Sequence, residues 1–175
     1  MSKKARKKEE LNELLRGILS KKINPDYQRR DEIIFGETSD RSQYVFHRKF
    51  QGLTIEKLEQ LLAEDFAALE DFVGESPTIQ EIYDFAKKCA QKGFNTQFMG
   101  FVTYLTYNYR VYIDGFEVAD LELTEDIVGS FKQLTEKASY LYTTDIQLYA
   151  WWKEDESFDM DRTIIFTPHR QESQE

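Results

Sequence analysis

The hydrophobic period of the chain changes repeatedly, and this change limits the possible folds more than any other feature. Apolar residues recur at helical spacing in three segments, at about 54–70, 76–93 and 124–140, and stretches rich in aromatic and β-branched residues lie between them. The predicted order is α-β-β-α-α-β-β-α-β-β. Because strands often follow strands directly, we expect an α+β fold with a single domain: an antiparallel-rich sheet of about five to six strands, three helices packed on it and an N-terminal amphipathic helix.

The predicted helices have identifiable ends. Thr54 is the expected N-cap of the first, and Ser76-Pro77 places a proline at the first position of the second. Gly93 is placed to end that second helix. Cys89 lies on its apolar stripe, so we expect a buried small side chain there and not a reactive thiol.

The strands are predicted from aromatic and β-branched content and from turn residues. Asp114-Gly115 is a strong hairpin signal, because a type I′ turn needs positive φ at both central positions. We therefore predict that Tyr107–Ile113 and Phe116–Leu121 pair antiparallel across that turn. The full set of predicted strands is Asp31–Phe35, Gln43–Gln51, Phe98–Ile113, Phe116–Leu121, Thr144–Lys153 and Thr163–Thr167.

Charge is distributed unevenly along the chain. Residues 1–30 have a net charge of +6 and residues 31–175 have a net charge of −15. Such asymmetry indicates a tail with its own role. We divide the chain into a basic N-terminal helical arm (1–30), an acidic α+β domain (31–170) and a C-terminal tail (171–175).

The arm has an apolar stripe formed by Leu11, Leu14, Leu15, Ile18 and Leu19. We expect a helix that docks this stripe on the acidic body. Binding of nucleic acid by the arm is an alternative, since Lys and Arg release counterions from phosphates. A membrane-surface helix is less favoured, because three glutamates in the arm would face anionic lipid. No apolar run approaches the length of a membrane span, and we expect a cytoplasmic protein.

Motifs that carry chemistry are missing from the sequence. It has no phosphate-binding G-x-x-x-x-G-K-[ST] or G-x-G-x-x-G loop and no G-x-S-x-G nucleophile elbow. His47 and His169 have no partner at metal-ligand spacing, and the Asp-x-Asp at Asp159–Asp161 lacks the rest of a calcium loop. We predict no catalytic residue, no metal site and no cofactor.

Aromatic residues are concentrated in the strands, where alternation sorts them onto two faces. Odd positions from Met99 to Ile113 are nearly all apolar and are expected in the core. In the later strand, Trp152 is expected in the core with its even-numbered neighbours. The opposite faces combine aromatic rings with cations and predict a binding face made of Tyr104, Arg110, Tyr112, Tyr149 and Trp151. The alternative is that these rings only cover a half-exposed sheet.

Two classes of function remain open. The first is a non-enzymatic interaction protein that binds another macromolecule through the aromatic face or the acidic surface. Its partner would be a protein, with basic partners favoured by the acidic body, and nucleic acid is unlikely except through the arm. The second is a small-molecule enzyme or ligand-binding domain with a cleft lined by carboxylates and aromatic rings. A deep cleft with converging ionisable groups would favour the second class, and a flat aromatic face the first.

Overall fold

The computed structural model describes residues 23–37, 47–104, 109–119, 124–144 and 146–153. These residues form α1 (Tyr27–Phe35), β1 (His47–Leu53), α2 (Ile55–Ala63), α3 (Ile79–Gln91), β2 (Asn95–Thr103), β3 (Val111–Ala119), α4 (Glu125–Leu134), β4 (Tyr140–Thr143) and β5 (Gln147–Trp151). All the strands belong to one antiparallel sheet with the order β1-β2-β3-β5-β4. The predicted α+β class and the single sheet of five antiparallel strands are confirmed.

A single hydrophobic core lies between the helices and one side of the sheet. All four described helices contribute to it, and they meet apolar side chains from β1, β2, β3 and β5. We call the side of the sheet that faces this core the helix face, and the opposite side the open face. The helix face presents Phe50, Leu53, Phe98, Val102, Val111, Ile113, Phe116, Val118, Leu148, Ala150 and, just after β5, Trp152.

Local signals set the predicted start of α2 and the predicted end of α3. The side chain of Thr54 accepts a hydrogen bond from the backbone of α2, which confirms this N-cap. Helix α3 begins two residues after Pro77, because Thr78 and Glu81 form a capping box that satisfies two backbone N–H groups at once. Gly93, with φ of +82°, ends α3.

Residues 31–35 are helical, so the predicted strand Asp31–Phe35 is wrong. Asp26 caps α1 by accepting a hydrogen bond from the backbone N–H of Arg29, and Gly36 ends the helix at φ of +75°. A five-residue segment is too short to show whether its apolar period is 2 or 3.6, and the cap that decides the question lies upstream. Helix α1 extends across residues 30 and 31, between which we divided the arm from the acidic domain.

The predicted hairpin at Asp114-Gly115 is also wrong. Both residues lie inside β3, which continues from Val111 to Ala119, and β3 pairs with β2 and β5. Consequently the described residues of Tyr107–Ile113 and Phe116–Leu121 do not pair with each other. Gly115 is not among the described residues with positive φ, which the type I′ turn requires.

Asp114-Gly115 forms a β-bulge in place of a turn. In the pairing of β2 with β3, Met99 lies opposite Gly115 and Gly100 lies opposite Ile113, so Asp114 is an extra residue with no partner position on β2. The bulge brings Ile113 and Phe116 onto the same face. Both face the core, although strict alternation would separate them.

Two predicted helices are longer than the observed ones. The first, at about 54–70, ends at Ala63. The third predicted helix, at about 124–140, ends at Leu134, and β4 begins where the prediction ends that helix. Strand β5 lies within the predicted strand Thr144–Lys153. The N-terminal part of Gln43–Gln51, the arm stripe and Thr163–Thr167 lie outside the described residues.

Candidate binding face

Four aromatic residues meet on the open face where β4 pairs with β5. Tyr140 lies opposite Trp151, and Tyr142 lies opposite Tyr149, and directly opposed residues point to the same side of a sheet. The rings of Tyr140 and Tyr149 make an edge contact with centroids 5.8 Å apart. Tyr140 is 57% exposed and Tyr142 47% exposed, whereas Tyr149 and Trp151 are half-buried. This half of the face therefore presents aromatic surface directly to solvent.

A second aromatic group covers the open face at β1, β2 and β3. The rings of Phe101 and Tyr112 stack with centroids 4.9 Å apart and an interplanar angle of 15°. His47 makes an edge contact with Phe101 at 6.0 Å. The packing of one ring on another leaves Phe101 buried and Tyr112 half-buried.

Gly115 lies between the two aromatic groups, and its missing side chain lets them approach each other. A Cβ at this glycine would lie 3.1 Å from Met99 Cε and 3.3 Å from Trp151 Cδ1. The Met99 and Trp151 side chains therefore come together directly over the glycine. A thioether packed between aromatic rings is a favourable and adaptable contact. The open face therefore has two aromatic groups, one on β1, β2 and β3 and one on β4 and β5, with Met99 and Gly115 between them.

Polar groups border this surface on β3 and β5. Gln147 Nε2 donates a hydrogen bond to Glu117 Oε2 at 3.2 Å. Burial raises the pKa of the Tyr149 phenol, and the nearby carboxylates of Asp114 and Glu117 raise it further. Tyr149 therefore stays protonated at neutral pH and can donate a hydrogen bond to a bound molecule.

The structure places Tyr104 in the interior, away from the open face. It is 2% exposed, and its hydroxyl donates a 2.6 Å hydrogen bond to Asp31 Oδ2. The guanidinium of Arg30 lies 4.8 Å from the centre of the Tyr104 ring and donates to the other Asp31 oxygen. The Tyr104 side chain therefore holds α1 on the sheet. The prediction that Tyr104 lies on an exposed face is therefore wrong.

Arg110 is likewise buried, at 3% exposed, and its expected place on an exposed face is also corrected. Its guanidinium forms an ion pair with Asp71, which is 4% exposed and lies in the loop between α2 and α3. The second oxygen of Asp71 accepts the backbone N–H of Ala68. Arg110 therefore fixes this loop against the start of β3.

Of the five predicted residues, the structure brings together Tyr112, Tyr149 and Trp151 on one face. The prediction treats Phe98–Ile113 as one strand with a single alternation. In the pairing of β2 with β3, Phe101 lies opposite Tyr112. The open face therefore receives odd-numbered residues from β2 and even-numbered residues from the start of β3. Odd positions of β2 therefore lie on the open face and not in the core.

Sequence reasoning missed Tyr140 and Tyr142, because the predicted helix runs to about residue 140 and the next predicted strand begins only at Thr144. A usable signal exists in the run Tyr-Leu-Tyr-Thr, which has the alternation and the residue types of a strand.

A cleft between α3 and α4 has a volume of about 640 Å³ and contains several ionisable groups. Three of those groups have hydrogen bonds within or between the helices. Glu81 completes the capping box, Asp84 accepts from the Gln80 side chain, and Lys88 donates to Asp126 and Ser130. These hydrogen bonds give Glu81, Asp84 and Lys88 a structural role.

Comparison with family models, with curated proteins and with solved structures finds no match to this chain. Among the described residues, no group of three or more His, Cys, Asp or Glu side chains is arranged to hold a metal ion. None of the described helices combines the length and the hydrophobicity that crossing a membrane requires.

Proposed function

We propose that this chain is a non-enzymatic interaction protein that binds another macromolecule through the open face. One observation carries the proposal: every described helix packs on the helix face, while the open face has aromatic rings, two of them about half exposed. Tyrosine and tryptophan give large contact areas at a low cost in side-chain entropy and are enriched in interface hot spots. Tyr140, Tyr142, Tyr149 and Trp151 are the residues that we expect to contribute most.

The electrostatics favour a protein as the partner. A platform that stacks single-stranded nucleic acid needs a basic groove along its aromatic rings. On the strands of the open face, the positive charge of Lys49 is offset by the negative charge of Glu117. Residues 31–175 as a whole have a net charge of −15. This balance disfavours a polyanion and favours a protein with a basic surface around an apolar contact. The free, buried Cys89 is compatible with the reducing cytoplasm, where we place this activity.

The proposal is tested by quantitative affinity capture from the native cell with the full chain as bait. We expect the double variant Tyr140→Ala/Tyr142→Ala to lose specific partners, because it removes the most exposed rings of the face. Tyr83→Ala is the matched control, since Tyr83 lies on α3 and contacts Glu59 through its hydroxyl. It removes an aromatic ring from the other side of the molecule.

Two results distinguish the proposal from its opposite. Partners that are lost with the double variant and kept with Tyr83→Ala support binding through the open face. Partners kept equally by all three proteins would contradict it. Denaturation curves of the variants must match that of the wild type, so that a loss of capture reports the surface and not unfolding.

A further inference from the structure

A groove at the end of α2 differs from the open face in chemistry, because its walls are aliphatic and acidic and not aromatic. It has a volume of about 370 Å³ and is lined by Ile23, Leu62, Asp65, Ala67, Ala68, Leu69 and Glu70. Leu69 is 38% exposed, and Phe72, three residues along the same loop, is 37% exposed. Large apolar side chains exposed beside a concavity indicate a contact surface.

The first described residues of the chain are fixed at this groove. Ile23 forms part of its wall, and the backbone N–H of Asn24 donates to the carbonyl of Asp65 at 2.9 Å. The Asn24 side chain donates to the carbonyl of Glu64, and Arg29 forms an ion pair with the same glutamate. The chain on the N-terminal side of Ile23 therefore starts at the groove.

That preceding segment has the chemistry that the groove lacks. Residues 1–22 contain eight basic and three acidic residues, and the apolar stripe between Leu11 and Leu19 is aliphatic like the groove walls. Among the groove-lining residues, the charged ones are both acidic, Asp65 and Glu70. The charges and the apolar surfaces are therefore complementary.

The tether is short enough for this contact. Leu19 is four residues from Ile23, so their Cα atoms are separated by about 14 Å at most. As a helix, the stripe from Leu11 to Leu19 would extend only about 12 Å. A segment held this close has a high effective concentration at the groove, and the contact needs little intrinsic affinity.

We propose that the stripe of residues 11–19 occupies this groove in the same molecule, with its basic residues over the Asp65 and Glu70 carboxylates. The occupant is the chain's own arm, and this proposal is independent of the function assigned to the open face. The arm would thereby cover the apolar side chains at the end of α2.

Hydrogen–deuterium exchange of the full chain, followed by mass spectrometry, tests this contact. We expect peptides covering residues 11–19 to be protected in the wild type. Leu69→Asp should remove that protection, because it puts a charge into the apolar wall. Glu70→Lys should reduce it by repelling the basic arm, because Glu70 is exposed in the groove wall.

The matched control is Ile146→Asp, which places the same charge at an exposed apolar residue beside β5. It should leave the protection of residues 11–19 unchanged, and peptides from β2 and β3 should stay protected in all variants. Unprotected exchange of residues 11–19 in the wild type would overturn the proposal. So would protection that persists in Leu69→Asp and Glu70→Lys, or protection that disappears on dilution, which would indicate docking onto a second copy.

Discussion

The two adjacent tryptophans differ sharply in environment, and the difference predicts their effects on stability. Trp152 is 1% exposed and lies over Phe116 with ring centroids 6.0 Å apart, whereas Trp151 is half-buried on the open face. Trp152→Ala should lower the free energy of unfolding by roughly 3–5 kcal/mol, because it leaves a cavity in the core. Trp151→Ala should lower it by about 1 kcal/mol. Urea denaturation measures both, and equal large losses would contradict the assignment of two faces.

The buried ion pair between Arg110 and Asp71 makes a separate prediction. Arg110→Met should destabilise the protein by roughly 3–5 kcal/mol, since it leaves the Asp71 carboxylate buried without its cation. The double variant Arg110→Met/Asp71→Asn should recover part of that loss, because an amide needs no counter-charge and can still accept the Ala68 N–H. Denaturation of both variants provides the comparison. A double variant less stable than Arg110→Met would show that the isolated charge is not the main cost.

At the scale of elements, two glycines predict effects of opposite sign. A Cβ at Gly115 in β3 would lie 2.8 Å from the Ala150 carbonyl oxygen, so strand β5 would have to move. Gly115→Ala should therefore cost about 2 kcal/mol. Gly129 lies inside α4 with open space around it, and Gly129→Ala should stabilise by about 0.5–1 kcal/mol through helix propensity. Thermal denaturation compares them, and a shift of the same sign for both would refute this account.

The elements that could be predicted from the sequence are those whose ends have a local cause. The cap at Thr54 and the stop at Gly93 depend on neighbouring residues only, and the helices that they bound were predicted. The Asp114-Gly115 pair has the composition of a turn. It forms a bulge instead, and β5 packs so closely on Gly115 that there is no room for a side chain. Local propensity cannot distinguish these uses, because the deciding contact comes from a strand more than thirty residues later.

At the scale of the whole molecule, the candidate site was predicted only where alternation stayed within one strand. Tyr149 and Trp151 were placed correctly relative to Trp152, because β5 is regular from end to end. Tyr104 was misplaced, because the assumed strand is two strands of opposite parity. Arg110 was misplaced, because it lies just before β3 and forms a buried ion pair with Asp71. Which face is covered depends on how four helices pack, and that information is distributed over the whole chain.

The single cysteine provides a test of global cooperativity. Cys89 is fully buried in α3, and burial raises the pKa of its thiol to about 11. Alkylation at pH 8 should therefore be slow in the native protein and should report transient unfolding. Trp152→Ala should accelerate it strongly, and Trp151→Ala only slightly, in proportion to their losses of stability. Fast alkylation of the wild type would show that the region around α3 opens independently of the rest.

The hydrogen bonds of Arg30 have a consequence for the order of events during folding. Its Nη1 donates to the carbonyls of Thr103 and Tyr109, which lie 73 and 79 residues away. Thr103 is the last residue of β2, and Tyr109 lies two residues before β3. These acceptors reach their positions only after the two strands have met, so α1 should dock after the transition state. Ile33→Val in α1 should then speed unfolding and leave the folding rate nearly unchanged in stopped-flow measurements. Helix α1 would then become native late in folding, although it precedes the other described helices and strands in the sequence.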